Sequence, residues 1–304
     1  MKNLHHYMKP GICHFKAYPE GMAGEATYES IKNVVTDDFF EVIEVCWMND
    51  PVERDRVSKL LNASEIDVAY AAQPAIITEK LNMHSPDEDK RQRAIKKVKE
   101  CVDEANHLGA TRMRVMSHKD PGDENREKEK ELFVKSLNEV CEYAREKYGI
   151  FIALKIFDRD IDKESLIGTF EDSRDVAKEV DRDNDNFGVL VDFSHFPLLG
   201  VEPDEVMHLV DDYVTDFHIG TCVLERSHPA YGDKQPRFGI EYSENTMEDL
   251  ADYFELLLDK GHLDPNDPPF LSVESRPYMA EDDPEIVIVN AKRVWKRAWR
   301  KAVH

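Results

Sequence analysis

Residues 187–195 read FGVLVDFSH, and residues 213–220 read YVTDFHIG. In the first run Val189, Val191 and Phe193 alternate with Leu190 and Asp192. In the second, Phe217 and Ile219 alternate with Asp216 and His218. Successive side chains of a strand point to opposite faces. Each run is therefore a strand with one apolar face and a charged or titratable group near the C-terminal end of the other. FLSVES at 270–275 sets Leu271 and Val273 against Ser272 and Glu274, and IFIALKIF at 150–157 sets Leu154 and Ile156 against Ala153 and Lys155.

Working outward from these four runs, short apolar segments alternate with longer amphipathic ones through eight rounds. The other strands are expected at Gly11–Phe15, Phe39–Trp47, from Ile66 through IDVAYAAQ, and at Thr111–His118. Helices are expected near Tyr28–Val35, Val52–Leu61, Asp87–Leu108, over the stripe from Leu132 to Ala144, near Asp172–Val180, after Pro203, over Met247–Leu257 and over Pro284–Trp299. Strands alternating with helices imply parallel pairing through right-handed crossovers. An open doubly wound sheet is the alternative. The chain lacks the G-x-G-x-x-G and P-loop signatures of nucleotide-binding open sheets and shows no break in composition. The fold expected is α/β, a single (β/α)8 TIM barrel, for which 304 residues suffice.

The formal net charge is −22, a field that opposes nucleic-acid binding. No stretch approaches the length of a membrane span, and the start MKNLHHYMKPG lacks the apolar run of a signal peptide. A cytoplasmic protein is expected, with a homo-oligomer left open. Cys13, Cys46, Cys101, Cys141 and Cys222 show no metal-type pair spacing and read as reduced packing residues. The run ENREKEKE from residue 124 reads as a solvated helix face.

If the apolar face of each strand packs on the helices, then Lys155, Asp192, His218 and Glu274 point inward at the C-terminal rim. Buried charges there need partners or an ion, and barrel active sites lie at this rim. Glu44 shares a strand face with Val42 and Cys46, and reads equally as a mouth residue or as the ion-pair partner of Arg114. His14, His84 and His118 fit structural roles better than substrate contacts. In the long loop 221–245, which also carries His228 and Asp233, Arg237 is a candidate for an anionic substrate group. Arg276 is a second.

The segments VDFSH (191–195), DFHIG (216–220), YGDKQPRFG (231–239) and SVESRP (272–277) resemble the xylose isomerase-like barrels. That superfamily comprises sugar isomerases and epimerases together with endonuclease IV-type repair enzymes. The resemblance implies one barrel domain over residues 1–304 and a divalent cation, Mn2+, Mg2+ or Co2+. By resemblance Asp192, His218 and Glu274 hold the ion, Glu274 doubles as an acid/base group, and His195 binds substrate. The reaction implied is isomerisation or epimerisation of a sugar or sugar-derived small molecule.

One position departs from that pattern. Where the family carries a glutamate at the end of strand five, this chain has Lys155. An ammonium there repels a metal ion, so weaker metal binding or an ion pair with Asp192, Glu274 or Glu44 is expected. Natural divergence, an impaired variant and an introduced substitution all account for Lys155. Glu44 and Arg276 complete the expected substrate-binding set. Alternatives are a lyase or decarboxylase of a sugar acid using Lys155, and a catalytically inactive sugar-binding barrel.

Overall fold

The computed structural model describes residues 2–304. Eight parallel strands close into a barrel in sequence order. They are β1 (Lys9–Cys13), β2 (Val42–Cys46), β3 (Asp67–Ala71), β4 (Ala110–Val115), β5 (Phe151–Lys155), β6 (Phe187–Asp192), β7 (Val214–Ile219) and β8 (Phe270–Val273). Helices at 28–35, 51–64, 88–107, 123–148, 170–181, 203–210, 247–259 and 284–302 follow them in turn. Among the described residues, no helix is long and apolar enough to cross a membrane.

Local chemistry sets where these helices begin. Thr27 and Thr246 close capping boxes with Ser30 and Asp249, and Asp50 and Asp283 cap helices that open with Pro51 and Pro284. Side-chain oxygens thus satisfy amides left bare in a first helical turn. Gly149 ends the 123–148 helix at φ +69°. Leu154, Val191, Phe217 and Leu271 are fully shielded from solvent and belong to the layer between strands and helices.

The expected strands overshoot at their ends. Strand one was expected at Gly11–Phe15 but runs Lys9–Cys13, and His14 opens a one-turn helix to Ala17. The imidazole of His14 stacks on Tyr18 and meets Ser30, which draws the chain away from the rim. Phe39 and Phe40 precede β2, with Phe39 packed edge-on against Trp295. Short apolar runs read alike whether they lie in a strand or turn off it.

The barrel interior is charged. At the floor Val42, Ala69 and Phe270 form a small apolar layer. Above it Arg112 reaches Asp216 at 3.1 Å, while Arg114 lies 3.6 Å from Asp216 and 3.4 Å from Glu44. The ion pair with Arg114 forms, and Glu44 also meets His218 at 2.8 Å beneath the cleft, whose lining it does not join. Ion pairs this deep exist only because each charge has a partner.

Two histidines weighed for the site are structural. Nδ1 of His84 lies 2.6 Å from Glu129, and its Nε2 accepts the N–H of His118. Glu129 is thus buried within the run that otherwise reads as a solvated face. Burial drives the pKa of His14 and of His84 from 6.5 down to about 3. The unfolded chain therefore takes up protons that the folded chain refuses. This contribution to stability is complete above pH 6.5 and is lost as pH falls toward 3. By pH 5 each ring withdraws roughly 2 kcal/mol. Urea midpoints are expected to fall between pH 7 and pH 5, and His14→Gln to lessen that fall. An unchanged slope in the variant refutes the assignment.

Candidate active site

Strand register brings the rim groups together. β6 and β7 pair with an irregularity after Val189, which sets Leu190 opposite Asp216 and Asp192 opposite His218. Glu274 follows the last residue of β8, and its N–H donates to the Ile219 carbonyl at 2.8 Å. Gly220 allows this approach, because a Cβ there would come within 2.8 Å of the Glu274 carbonyl oxygen. Lys155 ends β5. Glu44, Lys155, Asp192, His218 and Glu274 are each at most 2% exposed.

At the centre of this group stands the Lys155 ammonium. It donates to Glu274 at 2.7 Å and to Asp192 at 2.8 Å, and lies 3.3 Å from Nδ1 of His218. His218 in turn lies 3.0 Å from Glu274 and, through Nε2, 2.8 Å from Glu44. The two cations tolerate each other because Glu274 Oε1 contacts both. The backbone N–H and hydroxyl of Ser194 donate to the other oxygen of Asp192 at 2.9 and 2.7 Å. Nε2 of His195 sits between Asp192 at 3.6 Å and Asp233 at 3.5 Å, and its ring packs edge-on against Phe157.

These contacts fix the protonation states. Burial opposes charge on Lys155, but Asp192, Glu274 and Asp233 outweigh it and hold its pKa above the ordinary lysine value. Burial likewise raises the Glu274 carboxyl, yet Lys155, Lys16 and His218 hold it well below the usual carboxylate range. Glu44 is held at about 2 against burial by His218 and Arg114. Burial lowers His218, while Glu44 and Glu274 push it up to about 9. At neutral pH the cluster is ionised throughout.

A cleft opens above the cluster. Its walls mix Phe15, Met22, Ile77 and Phe157 with Lys16, Lys155, Lys163, Asp233, Glu274 and Arg276. The structure brings Arg276 to this cleft but not Arg237. The guanidinium of Arg237 is taken up by Asp282 at 2.6 Å and Glu281 at 2.9 Å, which corrects its expected place at a substrate anion. Sequence reasoning missed Cys13, Lys16, Lys163 and Gln235. Lys16 and Gln235 come from irregular loops without periodicity. Lys163 had a signal in Asp158, whose carboxylate accepts the N–H groups of Ile161, Asp162 and Lys163 in a tight turn.

Among the described residues, two groups have ligand atoms close enough for a metal ion: Asp192, His218 and Glu274, and Cys13, Glu44 and His218. Neither fits a divalent cation as it stands. In the first, Lys155 already lies within 3.3 Å of all three residues. A dication using the same donors would meet the ammonium at contact range, a repulsion on the order of 10 kcal/mol at an effective dielectric near 20. In the second, burial raises the Cys13 pKa, and Glu44 and Glu274 raise it further, so the thiol keeps its proton.

A family model described as xylose isomerase-like TIM barrel matches residues 38–262. Solved structures with the same fold include a D-tagatose 3-epimerase-like protein, at TM-score 0.72 and 16% identity over 97% of this chain and 98% of that one. An L-ribulose 3-epimerase aligns at TM-score 0.71 and 17% identity over 97% of each chain. The protein IolI, solved with a bound zinc atom, aligns at TM-score 0.68 and 18% identity over 97% of this chain and 99% of that one. No curated protein matches the chain by sequence.

Removing the ammonium leaves two buried carboxylates facing each other. Lys155→Met is expected to cost about 3–5 kcal/mol of folding stability at pH 7. The deficit should shrink toward pH 5, where one carboxylate can take a proton. Urea titrations at the two pH values check this, and a loss below 1 kcal/mol at pH 7 contradicts the pairing.

Proposed function

We propose that this chain, which belongs to the xylose isomerase-like TIM barrel family, isomerises or epimerises a sugar or sugar-derived small molecule, with the Lys155 ammonium in place of a metal ion. The substrate occupies the cleft lined by the C-terminal ends of β1, β3, β5, β7 and β8 and the segments that follow them, and the enzyme works in the cytoplasm on free small molecules. The metal dependence implied by the sequence resemblance gives way here to a charge that the chain supplies itself. The epimerase relatives support the reaction class through their shared fold.

Isomerisation next to a carbonyl needs a base for the carbon-bound proton and a positive partner for the oxygen that gains charge. The carrying observation is that Lys155 Nζ lies 2.7 Å from Glu274 and 2.8 Å from Asp192 on the floor of an open cleft. A substrate carbonyl oxygen approaching that ammonium competes with Glu274 for its protons. Charge stabilisation is then set in advance, because Asp192 holds the ammonium whether or not substrate is bound.

Glu274 is the base. Among the described residues, its Oε2 makes no hydrogen bond and has only the Lys16 ammonium near it, at 3.4 Å. While Lys155 and His218 bind it fully the carboxylate is a poor base. As the substrate oxygen draws the ammonium away, its basicity rises where the proton must be taken. The ionised Glu44 below restrains the protonated His218, while His195 sits behind the cleft wall at Phe157, between Asp192 and Asp233. An imine at Lys155 is disfavoured, since it requires a free amine where the cluster holds an ammonium. The cleft's aromatic wall, Phe15 and Phe157, suits the apolar face of a carbohydrate.

The experiment is solvent deuterium exchange followed by NMR, with a panel of aldoses, ketoses and their oxidised derivatives and chelator-treated protein. Deuterium is expected to enter at the carbon beside the carbonyl without added metal. Lys155→Met and Glu274→Gln should each lower the rate about 100-fold or more. Absence of exchange across the panel, with or without Mn2+, Mg2+ or Co2+, overturns the reaction class. Exchange that appears only with metal overturns the role given to Lys155.

A further inference from the structure

The net charge of this protein is −22, yet its cleft gathers five cations. Four of them have carboxylate partners. Lys155 is held by Asp192 and Glu274, and Lys16 lies 3.4 Å from Glu274. Lys163 pairs with Asp233 at 3.0 Å, and Lys234 with Asp162 at 2.9 Å. Among the described residues, the fifth, Arg276, has no ion-pair partner. Its side chain lines the cleft two positions beyond Glu274.

The backbone around Arg276 is held in place. Its N–H donates to the Gln235 carbonyl at 2.8 Å, and Pro236 and Arg276 form a parallel bridge. Gln235 adopts φ +50°, in the left-handed region that a non-glycine residue seldom enters. Its side chain accepts from Lys16 and reaches Asp192 and Ser194, each at 3.4 Å. One strained residue thus ties the Arg276 backbone to the ion cluster on the cleft floor. Strain held at such a position by its surroundings is characteristic of binding sites.

We propose that Arg276 is the docking point for a carboxylate on the substrate, so that the enzyme acts on a sugar acid in preference to a neutral sugar. This rests on the reaction proposed above for the identity of the cleft, and narrows its substrate class. A guanidinium presents two parallel N–H donors that match the two oxygens of a carboxylate. One unpaired cation balances one negative charge. A phosphate dianion would need a second, and Lys16, Lys163 and Lys234 are already matched. In a protein this acidic, an anionic substrate needs a local positive site to overcome the overall repulsion. Its carboxylate on Arg276 would turn the rest of the chain toward Lys155 and Glu274.

The test compares pairs of ligands that differ only in oxidation, an aldose or ketose against the matching uronate or aldonate. Binding to the purified protein is measured by calorimetry, alongside a sugar phosphate. The acid is expected to bind at least tenfold more tightly than its neutral partner. Arg276→Gln should erase the preference by weakening the acid at least tenfold more than the neutral ligand, and Arg276→Lys should restore part of it. Because Arg276 is partly exposed and unpaired, these variants leave no stranded buried charge, and matching melting curves confirm their folding. Equal binding of acid and neutral forms, or a preference that survives Arg276→Gln, overturns the proposal. So does a sugar phosphate that outbinds the acid. Deuterium exchange in the same samples separates the two inferences. Acids that bind through Arg276 but never exchange sink the reaction and keep this site; neutral sugars that exchange without any preference for acids do the reverse.

Discussion

Charges of alternating sign, stacked along the barrel axis, govern the rest of this molecule. From the floor upward, Arg112 meets Asp216, Asp216 meets Arg114, and Arg114 meets Glu44. Glu44 then meets His218, His218 meets Glu274, Glu274 meets Lys155, and Lys155 meets Asp192. Each link supplies the partner that its neighbour needs in order to stay charged away from water. The apolar contacts that hold the strands lie on their outer faces against the helices. The inner faces hold an electrostatic column that ends in the cleft, so the framework of the barrel and the chemistry of its mouth are one connected set of side chains.

Within that column Lys155 has the decisive position. A divalent ion among Asp192, His218 and Glu274 would be exchangeable and would depend on supply. An ammonium on a strand end is permanent and is set in place by folding. Unlike a metal ion it is not a Lewis acid, and it acts through its charge and as a hydrogen-bond and proton donor. These differences suit a reaction in which the developing charge is modest or is balanced elsewhere. A substrate whose own carboxylate is held at Arg276 would be positioned without help from a metal ion. Under the proposed function, Lys155 and Arg276 supply from the chain itself the charge for both binding and polarising.

Strand parity made the architecture legible, because a period of two with apolar residues on one face leaves little choice about which side chains enter the barrel. It singled out Lys155, Asp192, His218 and Glu274, which the structure brings within contact of one another. Glu44 was open between the barrel mouth and an ion pair with Arg114, and geometry gives it Arg114 together with His218 on the same oxygen. Residues carried by irregular loops were harder to read. Lys16 and Gln235 reach the cleft from turns with no repeating pattern. Arg237 has the same composition around it as a binding residue, but turns to the acidic stretch at 281–282 instead. Strand ends were overread where an apolar run continues past the point at which a side chain such as His14 finds a partner off the barrel.

What occupies the space between Asp192, His218 and Glu274 decides how this cleft works. Crystals grown in excess Mn2+, with anomalous diffraction recorded at the manganese edge, examine that space directly. The prediction is no manganese peak among the three residues, and side-chain density for Lys155 reaching both carboxylates. A manganese ion bound by Asp192, His218 and Glu274, with Lys155 swung aside, would contradict it.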